Sequence, residues 1–415
     1  MTDRTAQESF LDDFARLSSF GATAGGGVER LAGSPEHAQL REWLAGRFVA
    51  HGFTAHFDAI GNLFGLAELV PGAPFVLFGS HTDSQPLAGR FDGAYGVLTA
   101  LHAASRVVAD HRRAGSAPTY NIAIVDWFNE EGARFKPSMM GSGVFTGKLT
   151  LADALATRDP AGTSVASALR STAMHGDFTS PPLAAYGEIH IEQGRSMDAA
   201  GVTIGAVDAT WSAYKYEVVV HGEQGHTGSA RMSDRRDALL GAAHLVTAVH
   251  DLIEHFEVDE LHTSVGEFTV APNSPVTIAR EVRLLADLRA ETTGLLDEAF
   301  AHLESRIAEI EQCTRTRIEI VSRSVWRSGP FLQGGIRLIE RSAAAHGFSQ
   351  GRVKTLAGHD ATNMKDMIPT LLAFIPSVDG ISHNEREFST DADMLAGLSV
   401  FEDVVRELST NGMPE

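Results

Sequence analysis

The sequence predicts an α/β catalytic domain with a mixed, largely parallel sheet, interrupted by a small inserted α+β domain. Short apolar runs alternate with helical spacings through residues 1–210, the alternation that builds strands joined by crossover helices. From about residue 211 the texture changes to one-faced strands in the order strand-helix-strand-strand-helix-strand, a ferredoxin-like signature. Residues able to hold metals or move protons recur just past the carboxyl ends of the expected strands. Open α/β sheets place their working groups there.

Residues 1–18 and 35–51 have helical spacing, and Ser34 and Pro35 supply an N-cap and a first turn for the second helix. Strands are expected at 53–58, 63–68 and 75–79, then a helix at 94–112 and a strand at 120–127. Residues 150–184 read as helix and loop without assignable chemistry. In YGEIHIEQG, Tyr186–Gly194, alternation puts Glu188, His190 and Glu192 on one strand face. The insert offers a strand at 211–220, a helix at 236–256, strands at 263–271 and 276–289, a helix at 294–312 and a strand at 316–324. A helix at 334–346, a strand at 371–375 and a helix at 391–408 return to the first domain. The expected division is 1–210 with 328–415, and 211–327.

Among the 415 residues, 34 basic against 53 acidic side chains give a net charge of −19. That balance argues against nucleic acid or an anionic membrane as partner. A single cysteine, Cys313, allows no disulfide within the chain and fits a reducing compartment. The start of the chain is polar and acidic, unlike a secretory leader, and no apolar run approaches the roughly 20 residues that cross a bilayer. A soluble cytoplasmic protein is expected.

His81 and Asp83 close the apolar run FVLFGSHTD, and Asp92 precedes the next helix. This offers a nitrogen and an oxygen donor for a divalent metal, with Asp83 placed to orient the imidazole. Glu130 and Glu131 follow the 120–127 strand. Adjacent carboxylates at a strand end point in different directions, so one suits a metal and its neighbour a water. His190 sits mid-strand on a polar face, and Gln193 ends that strand. His226 lies between a strand and a helix of the insert, and Asp287 and Arg289 end the run VRLLADLR. Gly358-His359-Asp360-Ala361 precedes a helix, and His383, in GISHNE, follows the strand LLAFIPS.

In this order SHTD with GRFDG, FNEEGARF, EIHIEQG, GHTG, AGHDA and GISH resemble the hydantoinase/carbamoylase branch of the M20 metallohydrolases, over about residues 60–400. That branch holds N-carbamoyl-L-amino-acid hydrolases, β-ureidopropionases and allantoate amidohydrolases. The resemblance implies a zinc-aminopeptidase-like catalytic domain and an insert that serves as lid and dimerisation surface, hence a homodimer. It implies two divalent ions, zinc by default, with manganese, cobalt or nickel able to serve. Their ligands would be His81, Asp92 as bridge, Glu131, His190 and His383, with Glu130 as general base. His226 would meet charge on the tetrahedral oxygen, reaching in from the other subunit. Arg289 would clamp a substrate carboxylate, and Gln193, Gly358 and His359 would contact the amide or ureido group. The implied reaction is hydrolysis of a linear C–N bond in a ureido or related N-acyl amino acid, the alternative being an M20-type aminoacylase or dipeptidase. His190 stands where the peptidase branch typically has a carboxylate, which points to the amidase branch.

The chain departs from the family pattern on the insert side. Val276 occupies the position of a family Asn that helps bind the substrate carboxylate, and His226-Thr227-Gly228 replaces His-Ala-Gly. Loss of that amide removes on the order of 1–3 kcal/mol of discrimination. A substrate other than an ordinary N-carbamoyl-α-amino acid is expected.

Overall fold

The longest apolar runs become the buried centre of one sheet. A computed structural model describes residues 3–415, with side chains from residue 7 onward. Four strands pair in parallel, in the order Asn121–Trp127, Phe75–His81, Leu183–Ile191 and Thr370–Ile375. Three of them are buried along their whole length, as strands covered on both faces must be, and so they read as unbroken apolar runs. The flanks are antiparallel: Thr54–Phe57 and Leu63–Ala67 on one side, and Ile204–Thr210 with Gly329–Pro330 on the other. The sheet is therefore mixed, and its parallel character is confined to the centre. On one face the helices Ala94–Ala114 and Asp391–Asn411 pack through Leu98, Leu101, Val400 and Phe401. On the other, Trp127, Tyr186, Phe374 and Met364 form a second apolar layer.

Three elements differ from the expectation. Ile204–Thr210 and Gln350–Thr355 are strands, although neither reads as one. The first carries Gly205 and Asp208 within it and the second is largely polar, so neither has a clean apolar alternation. The expected strand at 276–289 is broken. Thr277–Ile278 pairs with Gly225–His226, and the chain re-enters a different sheet as Glu281–Ala290. Among the described residues no helix is long and apolar enough to cross a membrane.

The chain divides into Met1–Asp208 with Phe331–Glu415, and Ala209–Pro330. The second unit is a four-stranded antiparallel sheet in the order Arg317–Trp326, Ser212–His221, Glu281–Ala290, Leu261–Ala271. Its helices Ala238–Asp251 and Thr293–Thr314 cover the face bearing Tyr214, Tyr216, Val218 and Val220. The period-two alternation of SAYKYEVVVH is what makes that sheet one-sided. The two ends of this unit lie side by side, Ala209 opposite Pro330 and Thr210 opposite Gly329.

A buried polar network underlies the end of the Phe75–His81 strand. Arg41 Nε donates to Asp126 Oδ2 at 2.7 Å and Arg41 Nη2 to the Asp126 carbonyl at 2.9 Å. Thr82 Oγ1 donates to the same carboxylate at 3.0 Å, and Arg30 Nε donates to the Thr82 carbonyl at 2.8 Å. Asp126 has no exposed side-chain surface, so its charge depends on Arg41. Arg41→Met is expected to lower the unfolding free energy by about 3–5 kcal/mol, because it strands that carboxylate. Urea denaturation of variant and wild type in parallel measures the difference.

Candidate metal centre

Parallel strands deliver their carboxyl ends to one edge, and the candidate ligands collect there. His81 closes the Phe75–His81 strand, Glu130 and Glu131 follow Asn121–Trp127, His190 lies one residue from the end of Leu183–Ile191, and His383 lies in the loop after Thr370–Ile375. Asp92 precedes the Ala94–Ala114 helix and stands among them. Its Oδ1 is 3.2 Å from His190 Nε2 and 3.6 Å from His81 Nε2, and its Oδ2 is 3.1 Å from His383 Nε2. Glu131 Oε2 is 3.4 Å from the same His383 nitrogen.

The donor atoms thus fall into two groups, His81/Asp92/His190 and Asp92/Glu131/His383, each with its atoms within 4.8 Å of one another. Asp92 belongs to both. The remaining ring nitrogens of two imidazoles are fixed by main chain: His81 Nδ1 donates to the Asp83 carbonyl at 3.1 Å and His190 Nδ1 to the Ile191 carbonyl at 2.9 Å. That bond turns each Nε2 toward the shared carboxylate. Imidazole and carboxylate in this combination suit zinc, manganese, cobalt or nickel. Gly93 makes the approach possible, because it has φ +64° and a Cβ there would lie 2.3 Å from His81 Nε2.

Residues 77–407 match Peptidase family M20/M25/M40. The chain belongs to that family. It is 50% identical over 412 residues to a putative hydrolase of Mycolicibacterium smegmatis, covering 98% of this chain and 94% of that one. It is 30% identical over 409 residues to an N-carbamoyl-L-amino-acid amidohydrolase of Rhizobium meliloti, with 97% of each covered. A hydantoinase/carbamoylase-family amidase of Burkholderia vietnamiensis superposes with a TM-score of 0.91 at 33% identity, over 98% of both chains. This M20 chain is accordingly an amidohydrolase of the carbamoylase/allantoate amidohydrolase type, acting on amide C–N bonds.

The residues around the M20 site have partners of their own. The Asp83 carboxylate accepts the N–H groups of Glu130 at 3.1 Å and Glu131 at 3.3 Å. It therefore ties the glutamate turn to the His81 strand, and the Asp83 carbonyl makes the closer contact to the imidazole. Gln193 Nε2 donates to Asp92 Oδ2 at 2.8 Å and to Ser382 Oγ at 3.2 Å. His359 is buried with its ring edge-on to His190, centroids 4.5 Å apart, and Nε2 bonded to Thr355 Oγ1 at 3.1 Å. Gly358 is crowded, since a Cβ there would lie 3.0 Å from Met139 Cε. Gln85 escaped the sequence reading altogether, yet it holds both oxygens of Glu131, through its N–H at 3.1 Å and its Nε2 at 2.9 Å. His226 and Arg289 belong to the second unit. His226 is exposed, and its Nδ1 accepts the N–H groups of Gly228 at 3.0 Å and Ser229 at 3.2 Å. Arg289 Nη2 donates to Asp287 Oδ2 at 2.8 Å.

Crowded buried carboxylates set the electrostatics. Burial, with Asp360 and Glu131 nearby, lifts Glu130 well above the usual carboxylate range despite His81. Burial and Asp92 push Glu131 up to about 7. Burial opposes ionisation of Asp92, but hydrogen bonds with His190, His383 and His81 outweigh it and hold that carboxyl well below the usual range. Burial likewise disfavours imidazolium at His383, yet Asp92 and Glu131 raise it to about 9. The metal-free centre therefore carries protons at neutral pH on groups that must be bare to ligate. Cation binding is expected to release protons at pH 7, and affinity should rise by about tenfold per pH unit for each proton displaced until His383 titrates. Calorimetry in buffers of different ionisation heat reads the number released, and no net release would contradict this assignment.

Proposed function

We propose that the chain is a two-metal amidohydrolase that cleaves a linear C–N bond of a ureido or related N-acyl amino acid, with Glu130 as general base. The observation that carries this reading is Asp92, one buried carboxylate common to two ligand groups, with Glu130 Oε2 3.6 Å from His81 Nε2 beside them. His81, Asp92 and His190 would hold one ion and Asp92, Glu131 and His383 the other. When bound, such ions acidify a water and polarise the carbonyl of the substrate.

The chain's own residues do the rest. The Asp83 bond to its N–H fixes Glu130, and burial raises its proton affinity well above the usual carboxylate range. Such a carboxylate takes a proton from water and returns it to the leaving nitrogen. His226, with Nδ1 accepting two backbone N–H groups, keeps its proton on Nε2 and offers a donor to a developing oxyanion. Thr355 Oγ1 donates to the Ala357 carbonyl and so accepts from His359 Nε2. His359 Nδ1 is then an acceptor suited to a ureido N–H. Arg289, braced by Asp287, would clamp a substrate carboxylate. Gln193 orders Asp92, and Gly358 contributes backbone to the wall. A homodimer formed through the second unit and a cytoplasmic setting belong to the same proposal.

Val276 is 60% exposed on the ribbon that carries His226, since its carbonyl accepts the Thr227 N–H at 3.1 Å. An apolar side chain there favours a substrate with an apolar acyl or side group over a simple N-carbamoyl-α-amino acid, which keeps the aminoacylase reading alive. Purified protein supplied with zinc, manganese or cobalt is expected to release ammonia from members of a ureido panel. Turnover of acyl or dipeptide substrates alone would select the second reading. Glu130→Gln is expected to lower kcat by about 10²–10⁴-fold with metal content unchanged, and wild-type turnover by that variant would refute the base assignment. Val276→Asn is expected to raise kcat/KM for N-carbamoyl-α-amino acids about tenfold, read by steady-state kinetics on both proteins.

A further inference from the structure

The geometry points to Glu387 as a positioning residue that locks Asp92 and His383 into one register, an inference that rests on the two-ion reading of the centre. Glu387 is four residues beyond His383 and only 4% exposed. Its Oε1 accepts the backbone N–H groups of Phe91 at 3.0 Å and Asp92 at 3.1 Å. Its Oε2 accepts Ser382 Oγ at 2.8 Å. One oxygen therefore fixes the peptide that carries the shared carboxylate, and the other fixes the residue before His383.

The remaining bonds close a ring. Ser382 Oγ accepts Gln193 Nε2 at 3.2 Å, and the same amide donates to Asp92 Oδ2 at 2.8 Å. The path from Glu387 through Ser382 and Gln193 reaches the Asp92 side chain, and the Asp92 N–H returns it to Glu387. The pocket for this carboxylate is built to fit, because a Cβ on Gly89 would lie 2.1 Å from the Glu387 carboxyl carbon.

His383 needs such a brace. It has φ +52°, a conformation that non-glycine residues rarely adopt, and its side chain is 49% exposed. Buried surroundings and main-chain bonds hold His81 and His190. With Glu387 removed, the Phe91 and Asp92 N–H groups lose their acceptor and the Ser382–His383 peptide loses its anchor. Asp92 Oδ2 and His383 Nε2 are then free to separate, and the ion they share with Glu131 is lost first. Glu387→Gln keeps one oxygen for the two N–H groups and an amide that can donate to Ser382 Oγ.

Full-length wild type, Glu387→Gln and Glu387→Ala are loaded with Co²⁺, dialysed, and assayed for metal per chain and for the cobalt visible spectrum. Wild type and Glu387→Gln are expected to hold about two ions. Glu387→Ala is expected to bind the second ion about 10–100-fold more weakly, with the first retained and the far-UV dichroism unchanged. Equal affinity of Glu387→Ala for both ions, or equal weakening of both, would overturn the assignment. Wild type binding a single ion would instead overturn the two-ion reading on which it rests. Where Glu387→Ala does not fold, Ser382→Ala breaks the Oε2 arm alone and must weaken the second ion by about tenfold. An unchanged second ion in that variant also overturns the proposal.

Discussion

The centre depends on keeping one buried carboxylate ionised. Asp92 is 4% exposed, and a bare carboxylate at such depth would ordinarily take a proton. Three imidazoles prevent this, two near Oδ1 and one near Oδ2. Because the two oxygens serve different partners, the side chain cannot rotate to satisfy one group without abandoning the other. The surroundings respect that constraint. Gly93 leaves room for the His81 ring, Gln193 bonds the oxygen on the His383 side, and the Asp92 main chain is itself hydrogen-bonded.

Around this carboxylate the protein tolerates an excess of buried acid. Asp83, Glu130, Glu188, Asp360 and Glu387 are each buried, and burial raises the carboxyl of every one. Many of their oxygens are occupied by hydroxyl or main-chain donors: Glu188 accepts Ser80 Oγ at 2.8 Å and the Ala361 N–H at 2.8 Å. Such a cluster is poorly stable as a set of anions and well suited to cations, so folding and metal affinity draw on the same residues. Arg41 neutralises Asp126, and Arg30, bonded to the Thr82 carbonyl, adds an unneutralised buried positive charge.

The candidate ligand positions are legible because most lie at or just past a strand's carboxyl end, and strand ends in a parallel sheet converge. Strand ends and residue types make His81, Glu131, His190 and His383 candidates, and the ordered family motifs single them out as a set. The supporting positions are not legible in that way. Gln85, Ser382 and Glu387 act on main-chain groups or on residues far along the chain, 296 positions away for the bond between Glu387 and Phe91, and a polar residue in a loop carries no mark of such a partner. Asp83 is a partner of His81, through its carbonyl, and its carboxylate has a second task that sequence proximity does not show, accepting N–H groups of the next strand's turn. The 276–289 segment misled because Val276, Thr277 and Ile278 are β-branched and continue the texture of the strand that follows. Pairing of Thr277 with His226, invisible in one dimension, is what breaks it.

The two ends of the second unit are ladder partners, with Ala209 facing Pro330. A module whose termini meet can be exchanged without stretching the sheet that hosts it. The candidate ligands His81, Asp92, Glu131, His190 and His383 belong to the first unit, and Val276, His226 and Arg289 to the second. Replacement or drift of residues within the second unit therefore leaves every candidate ligand residue at the edge of the sheet unchanged.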